Sequence, residues 1–258
     1  MRVVQIKAPV TANEEVMPGF HRAWLEAPDI ATAARPGQFL MVRCGNDVLL
    51  RRPLSVHRID DDKQRIALLY TIFGKGTKWL SRVKAGESLD ILGPLGNSFN
   101  ILPDKRILLL AGGYGIAPLV FLAEEARKAG CRVNMVQGVR TKTLACRRSL
   151  LPEGTNLTVM TEDGSEGLKG RITDCPQELV EEADQIFACG PMPMYRALAG
   201  MPQLKGKSVQ VSLEVMMACG VNLCYGCTIK TRKGLKQICH DGPVFDLDDI
   251  LWEEQAGI

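Results

Sequence analysis

The sequence of 258 residues is poor in aromatic side chains and carries almost no net charge. Aromatic residues make up 5% of it, and 32 basic residues against 29 acidic ones leave a formal charge of +3. Binding to nucleic acid requires a strongly basic surface or aromatic platforms on which bases stack. The composition supports neither, and we expect no nucleic-acid partner.

The sequence also has no segment typical of a membrane span. Residues 107–123 form a stretch of 17 residues without a charge, but it contains three glycines and a proline. A spanning helix needs about 20 mostly apolar residues, and this stretch is instead typical of a buried strand, a turn and a helix. The first residues turn acidic at Glu14 and Glu15 and do not resemble a signal peptide. We therefore expect no membrane association and a cytoplasmic location.

Cysteine, by contrast, is abundant, with nine residues in the chain. In the reducing cytoplasm we expect thiols rather than disulfides. Five cysteines are scattered, whereas the other four fall within 21 residues. This clustering is the first indication of a metal centre.

The first hundred residues are predicted to be β-structure. Short apolar or alternating runs are separated by turn residues, and this spacing indicates a small barrel or sandwich. One short helix is predicted over residues 77–83, after a glycine-rich turn. The predicted strands cover residues 20–26, 38–43, 49–57, 65–73 and 88–92.

From about residue 104 strands alternate with helices, which indicates a parallel sheet with crossover helices. The predicted strands are 107–110, 131–136, 156–160 and 185–188, and the predicted helices are 116–128, 143–150, 178–183 and 192–198. A cysteine-rich tail begins at about Ser212. We therefore predict three units, residues 1–100, 101–211 and 212–258.

The clustered cysteines have the spacing C-x4-C-x2-C followed by a distant fourth cysteine. They are Cys219, Cys224, Cys227 and Cys239. This is the spacing with which plant-type ferredoxins hold a [2Fe-2S] cluster, and intervening glycines let the backbone approach such a cluster closely. The alternative is a structural zinc site, although such sites usually combine two short cysteine pairs. The spacing favours the iron–sulfur cluster.

A glycine-rich turn lies between a predicted buried strand and a predicted helix, with the sequence Gly112-Gly113-Tyr114-Gly115-Ile116-Ala117-Pro118. Backbone N–H groups at a helix N-terminus attract a pyrophosphate. The alternative is an ordinary turn. Cys189-Gly190-Pro191 ends another predicted strand at the same sheet edge, where open α/β sheets bind ligands. Taken alone, Cys189 is equally well explained as a buried structural thiol.

Two adjacent arginines precede Pro53-Leu54-Ser55 in a predicted strand of the first unit. Since neighbouring strand residues point to opposite faces, one of Arg51 and Arg52 is placed to hold a phosphate. The alternative is an ordinary surface charge pair. Gly74-Lys75-Gly76-Thr77 predicts either a second phosphate contact or a plain turn.

Taken in chain order, the motifs resemble the ferredoxin–NADP reductase superfamily over nearly the whole chain. They are Arg52 to Ser55, Gly76-Thr77, the run from Gly93 to Phe99, the turn from Gly112 to Pro118, Cys189-Gly190-Pro191 and the cysteine tail. The tail is more specific: with Ser212-Leu213-Glu214 before it and residues 239–245 around its last cysteine, it resembles the electron-transfer subunits of class 1B dihydroorotate dehydrogenases. Asn222 stands where that family usually has glycine. The resemblance implies a mixed β and α/β fold: an antiparallel β-barrel for FAD, a parallel-sheet α/β domain for NAD, and a C-terminal [2Fe-2S] segment.

The resemblance also implies roles for the matching residues. The FAD pyrophosphate and flavin edge would be held by Arg52, Pro53, Leu54 and Ser55, the flavin would be lined by Leu69, Tyr70 and Thr71, and its phosphates would be cradled by Gly76 and Thr77. The NAD pyrophosphate would be bound by Gly112, Gly113, Gly115 and Pro118. The four clustered cysteines would ligate the cluster. As catalytic residues, Ser55 would lie near flavin N5, and Cys189 near the nicotinamide and flavin.

The implied activity is that of an NAD-linked oxidoreductase subunit in pyrimidine biosynthesis. Electrons would pass from an FMN-containing dihydroorotate dehydrogenase catalytic subunit through [2Fe-2S] and FAD to NAD+, in a heterotetramer with two copies of each subunit. One alternative is the small subunit of a sulfhydrogenase or of a ferredoxin–NADP transhydrogenase. A second is a non-enzymatic nucleotide-sensing module with structural zinc. Acidic Glu162 and Asp163 favour NAD over NADP, whereas Arg140, Lys142, Arg147 and Arg148 weaken that preference.

Overall fold

The N-terminal part of the chain forms a closed barrel, and the computed structural model describes the chain from residue 3 to residue 255. The barrel elements are β1 (Val4–Met17), β2 (Phe20–Glu26), α1 (Pro28–Ala33), β3 (Phe39–Val42), β4 (Arg52–Ile59), β5 (Arg65–Thr71), α2 (Lys75–Leu80) and β6 (Ser88–Leu95). The six strands pair antiparallel in the order β1-β2-β5-β4-β3-β6. Alternate side chains, such as Ile66, Leu68 and Tyr70, fill the interior, as a period of two requires. The predicted barrel is confirmed.

Two barrel elements were not predicted from the sequence. β1 contains Pro9 and a polar run at residues 11–15, both of which argue locally against a strand. Its pairing with β2 on one side and β6 on the other supplies the stabilisation that the local sequence lacks. α1 begins at Pro28, which the sequence pattern predicts as a turn residue, and proline is well tolerated in the first helical turn.

A parallel sheet with helices follows the barrel. Its elements are β7 (Arg106–Gly112), α3 (Ile116–Lys128), β8 (Arg132–Val139), β9 (Thr155–Thr161), β10 (Leu168–Lys169), α4 (Gln177–Glu182), β11 (Gln185–Cys189), α5 (Met192–Ala199) and β12 (Val209–Ser212). The strands are parallel in the order β10-β9-β8-β7-β11-β12. The run of buried residues along β7 fits a strand that is covered on both faces. The predicted α/β architecture is confirmed, and α3 has the predicted bounds.

The helix predicted over residues 143–150 is wrong. The structure has two short 3-10 turns there, Lys142–Leu144 and Arg148–Leu150, joined by extended backbone. The N–H of Cys146 donates to the side-chain oxygen of buried Gln137 at 2.7 Å. An α-helix needs that N–H for its own ladder, so this tertiary contact competes directly with the helix.

The tail folds back onto both preceding parts. It contains β13 (Thr228–Thr231), β14 (Gly234–Gln237), α6 (Ile238–Asp241) and β15 (Val244–Asp246). β15 pairs antiparallel with β12 and extends the parallel sheet to seven strands. Asn97, just after the barrel, donates from Nδ2 to the carbonyls of Asp241 (2.9 Å) and Val244 (2.8 Å), and its Oδ1 accepts from the N–H of Val244 at 2.9 Å. These bonds hold the tail beside the barrel.

Between residues 3 and 255 there is no helix whose length and apolar character would let it cross a membrane.

Candidate redox site

The predicted flavin motif lies on β4 and faces the start of α2. Arg52, Pro53, Leu54 and Ser55 are half-buried, and they pair with the residues of β3 from Val42 back to Phe39. Arg52 lies against Gly76, where a Cβ would come within 3.0 Å of its Nε. Glycine at this position leaves room for the first turn of α2 to approach the guanidinium closely. The two predicted phosphate contacts, 24 positions apart in the sequence, are therefore brought together.

Arg51 binds a different partner, Asp90. Its Nη2 lies 2.8 Å from a carboxylate oxygen of Asp90 on β6, and its Nη1 donates to the Asp90 carbonyl at 3.0 Å. Burial opposes the shift, but the hydrogen bond and charge of Arg51 hold the pKa of Asp90 below its usual range. The two arginines thus point to different sides of β4, and Arg52 is the one beside the turn at Gly76.

The predicted flavin-lining residues lie on β5, which pairs with β4. Leu69 and Tyr70 are buried and Thr71 is half-buried. The Tyr70 hydroxyl donates to Asn13 Oδ1 at 2.9 Å, which anchors the ring to β1. In α2, Thr77 Oγ1 accepts from the N–H of Phe73 at 2.8 Å and shapes the turn before the helix.

The glycine turn after β7 packs directly on the residues that follow β11. Gly113 has a φ of +55°, and a Cβ on Gly112 would lie 2.6 Å from the Met194 sulfur. A Cβ on Gly115 would overlap the carbonyl of Cys189. Pro118 is buried in the first turn of α3. The turn therefore needs glycine for close backbone approach, and the two motifs at the sheet edge form one surface.

Cys189 is fully buried beneath that surface. Its Sγ lies 3.7 Å from Oε1 of Glu214, and burial raises its pKa well above the ordinary value, so it is a neutral thiol. The hydroxyl of Tyr195 accepts from the N–H of Gly190 at 2.8 Å and donates to the carbonyl of Ser212 at 2.5 Å. This bridge ties the ends of β11 and β12 together.

Glu214 is a residue of this site that the sequence reasoning missed. It keeps an exposed surface, although desolvation by the protein atoms around its carboxyl raises its pKa. The strand pairing indicates its place, because β11 and β12 are parallel neighbours with Cys189 opposite Ser212. Their carboxyl ends must therefore place Glu214 beside Cys189.

A cleft of about 770 Å³ opens beside the loop after β8. Lys142, Arg147 and Arg148 line it together with Leu157 and Val159 of β9. The acidic pair that follows β9 is exposed, and Asp163 accepts from both the N–H and the hydroxyl of Ser165. Both basic and acidic residues thus lie near the end of the sheet where the 2′-phosphate that distinguishes NADP from NAD is expected.

The four clustered cysteines come together in the tail, and each sulfur atom receives one backbone N–H. The donors to Cys219, Cys224, Cys227 and Cys239 are the N–H groups of Leu223 (3.4 Å), Gly226 (3.5 Å), Cys239 (3.4 Å) and Asn222 (3.3 Å), respectively. Such N–H···S bonds stabilise thiolates and tune iron–sulfur clusters. The loop can wrap in this way because Gly220, Asn222 and Tyr225 have φ of +72°, +60° and +56°. Asn222 thus adopts the left-handed conformation, which asparagine tolerates better than most residues other than glycine.

The four thiols interact with one another within the tail. Cys219 interacts with Cys224, and Cys239 interacts with both Cys227 and Cys219. Burial opposes the change, but N–H groups of the loop from Val221 to Cys224 lower the pKa of Cys219 to about 6. Burial raises the pKa of Cys239 to about 12. In the part of the chain from 3 to 255, no three thiol, imidazole or carboxylate groups converge as ligands of one metal ion. Four clustered thiols with no single-ion site fit a two-iron cluster, which is held by four cysteine ligands.

The cysteine loop lies against the barrel next to the flavin motif. A Cβ on Gly220 would come within 2.5 Å of Met41 on β3, and Met41 is the pairing partner of Pro53 on β4. Met41, Cys227 and Cys239 belong to one buried cluster. One strand therefore separates the cysteine loop from the predicted flavin edge.

A barrel joined to a parallel sheet, with a glycine turn at the sheet edge and a four-thiol loop, defines an electron-transfer oxidoreductase of the ferredoxin-reductase class. A solved structure of an NADH-dependent reduced ferredoxin-NADP oxidoreductase has this fold, with a TM-score of 0.87 and 30% identity over 96% of this chain and 91% of the other. Residues 214–251 match the iron–sulfur cluster binding domain of dihydroorotate dehydrogenase B.

Curated relatives match along nearly their full length. The dihydroorotate dehydrogenase B (NAD(+)) electron transfer subunit of Caldanaerobacter subterraneus subsp. tengcongensis is 38% identical, over 96% of this chain and 99% of the relative. The protein of the same name from Desulforamulus reducens is 37% identical, over 95% and 98%. The chain belongs to the family of dihydroorotate dehydrogenase B electron transfer subunits. This confirms the predicted family and oxidoreductase class, and it favours the cluster over the zinc alternative.

Proposed function

We propose that this chain carries electrons from the FMN-containing catalytic subunit of a dihydroorotate dehydrogenase to NAD+, through its own [2Fe-2S] cluster and FAD, in pyrimidine biosynthesis. The observation that carries the proposal is the contact of Gly220 in the cysteine loop with Met41, the strand neighbour of Pro53. With one strand between the cysteine loop and the predicted flavin motif, this contact supports electron exchange between them.

FAD would be held by Arg52 at its pyrophosphate, with Gly76 and Thr77 completing the phosphate cradle. Leu54, Ser55 and the β5 residues Leu69 to Thr71 would line the flavin. When bound, the flavin supplies an exchange between two-electron and one-electron chemistry. The protein's part is to hold the ring between β4 and the sheet edge, with Ser55 placed to donate a hydrogen bond at its reacting edge.

NAD would bind at the turn from Gly112 to Gly115 and the start of α3, with Cys189 below the nicotinamide. The bare backbone at these glycines admits a pyrophosphate, and helix N-terminal N–H groups attract it. The neutral Cys189 thiol and the Glu214 carboxyl form the polar floor of this pocket. The exposed Glu162 and Asp163 disfavour a 2′-phosphate, and the relatives' names specify NAD(+).

The partner would dock on the cysteine loop. Leu223 is 77% exposed, Tyr225 63% and Met216 93%. Such a cluster of large apolar side chains beside a redox centre is costly to leave in water and marks an interaction surface. The assembly would contain two copies of each subunit in the cytoplasm, and the chain would divide functionally at residues 1–100, 101–211 and 212–258.

A second candidate is the small subunit of a ferredoxin–NADP transhydrogenase. It is favoured by the similarity to the NADH-dependent reduced ferredoxin-NADP oxidoreductase. The two proposals share the flavin and cluster sites and differ in the partner that covers the loop.

Co-purification with the native partner, followed by cofactor analysis, tests the function. We expect a complex that contains FMN, FAD, iron and sulfide and that reduces NAD+ with dihydroorotate. A complex without FMN that exchanges electrons between ferredoxin and NADP would overturn the proposal in favour of the second candidate. The isolated chain should show flavin and iron–sulfur absorbance; a colourless zinc protein would exclude both.

A further inference from the structure

The barrel and the parallel sheet meet along one stripe of α3. Ala117, Phe121 and Glu124 are spaced by four and three residues, which places them on one face of a helix. Phe121 is buried with the core of the barrel. Ala117, one turn before it, and Glu124, one turn after it, both contact β4. This stripe connects the strand of the flavin motif to the helix that follows the glycine turn.

β4 has a bulge at His57, the residue that makes the first of these contacts. Val56 is opposite Leu68 and Arg58 is opposite Ala67, so His57 is an extra residue in the ladder. A bulge redirects side chains that strict alternation would send to opposite faces. His57 and Arg58 therefore both reach α3.

His57 is fully buried and binds the first turn of α3. Its Nδ1 lies 2.8 Å from the carbonyl of Ala117; because a carbonyl only accepts, Nδ1 carries the proton. Its Nε2 has no hydrogen-bond partner among residues 3–255. Burial, together with the nearby charges of Arg58 and Arg22, lowers its pKa to about 3, so the ring is neutral. An unpaired buried nitrogen costs free energy, which an apolar side chain would avoid.

Arg58 makes the second contact, two turns further along the helix. Its Nε lies 2.5 Å from Oε1 of Glu124, whose side chain is largely buried. Two polar contacts on either side of Phe121 define both the rotation of α3 and its position along its own axis. Helix packing by apolar contacts alone leaves more freedom in both.

We propose that His57 is a positioning residue for hydride transfer, which fixes the start of α3 and its glycine turn relative to the flavin strand. The inference rests on the proposed function. His57 is two residues from Ser55, about 7 Å along the strand, and Ala117 is two residues beyond Gly115. A small displacement of α3 along β4 would therefore misalign the two nucleotide sites while leaving the groups that retain each nucleotide in place.

The test is rapid-mixing reduction of the FAD in the loaded protein by NADH, with His57→Leu and His57→Asn. Asparagine places an N–H donor close to the position of Nδ1, whereas leucine fills the space without a donor. For His57→Leu we expect full FAD content, a nearly unchanged half-saturating NADH concentration, and a rate at saturation reduced about tenfold, since small misplacements are costly in hydride transfer. His57→Asn should recover most of the rate. The long-wavelength absorbance from nicotinamide stacked on flavin should weaken in the leucine variant only.

Arg65→Met is the matched control, because it removes an ion pair with Asp60, in the turn between β4 and β5 and away from the start of α3, and should keep the normal rate. A normal rate in His57→Leu, or equal losses in the leucine and asparagine variants, would overturn the inference. If His57→Leu does not fold, His57→Gln takes its place. The glutamine amide reaches the position of Nε2 rather than Nδ1, so the rate of flavin reduction in His57→Gln should stay well below that in His57→Asn. Equal rates in these two variants would again overturn the inference. If NADH fails to reduce the unaltered protein, the proposed function itself fails.

Discussion

The cysteine loop and the junction between the two nucleotide sites are built in opposite ways. The four sulfur atoms come from 21 consecutive residues, and N–H groups of that same segment satisfy them. At the junction, Gly115 meets Cys189 and Cys189 meets Glu214, so these contacts join distant parts of the chain. The hydrogen bonds to the sulfur atoms therefore depend on residues close together in the chain, whereas the junction depends on the close approach of separate backbones.

The largest effect is expected from Cys224→Ser. The loss of one thiolate should remove the cluster, because a two-iron cluster needs all four ligands. FAD should remain, since its proposed contacts lie on β4, β5 and α2. Visible absorbance and iron content measure the cluster, and NADH should still reduce the flavin while electrons no longer reach the partner. Retained iron together with retained partner-linked activity would show that the ligand assignment is wrong.

Gly115→Ala should damage the junction without touching the cluster. Its Cβ would overlap the carbonyl of Cys189, and backbone cannot move away as a flexible side chain does. We expect a loss of about 3 kcal/mol in the free energy of unfolding and a severe loss of NADH-dependent flavin reduction. Gly113→Ala is the control: it meets no atom within 4 Å, and its positive φ should cost only about 1 kcal/mol. Equal effects in denaturant titrations would contradict the close-approach argument.

Arg52→Ala should weaken FAD binding selectively. A hydrogen bond to a charged group contributes about 1.5–3 kcal/mol, or roughly one to two decades in affinity. Flavin retention through gel filtration measures the loss. Arg51→Ala should leave FAD bound, because Arg51 is engaged with Asp90. If both variants lose the flavin equally, the two arginines do not have separate roles.

Leu223→Glu should have the smallest effect on the isolated chain and should act only on the complex. The side chain is 77% exposed, so the flavin and cluster spectra should not change. Binding to the catalytic subunit should fall about tenfold or more, as expected for a central apolar contact. Size-exclusion chromatography of the mixed subunits measures this. A bleached cluster with an intact complex would place Leu223 inside the protein's own packing instead.

Several features could be predicted because their determinants are local. The bounds of α3 follow from the apolar pattern between the glycine turn and Lys128, and the barrel strands follow from alternation and turn residues. β1 could not be predicted, because Pro9 and a polar run mask a strand that its two neighbours stabilise. The helix expected at 143–150 is absent because Gln137, on another strand, takes the N–H of Cys146.

The sequence by itself determined the grouping of the four cysteines, the glycine turn and the family, because each depends on the spacing of residues within a short segment. Only the tertiary structure decided which groups meet: Arg52 with Gly76, Cys189 with Glu214, and Gly220 with Met41. It also decided that His57 contacts α3, through a bulge that depends on the register between two strands. The physical reason is that local spacing acts along the chain, whereas register and close packing are set by neighbours that only the folded chain brings together.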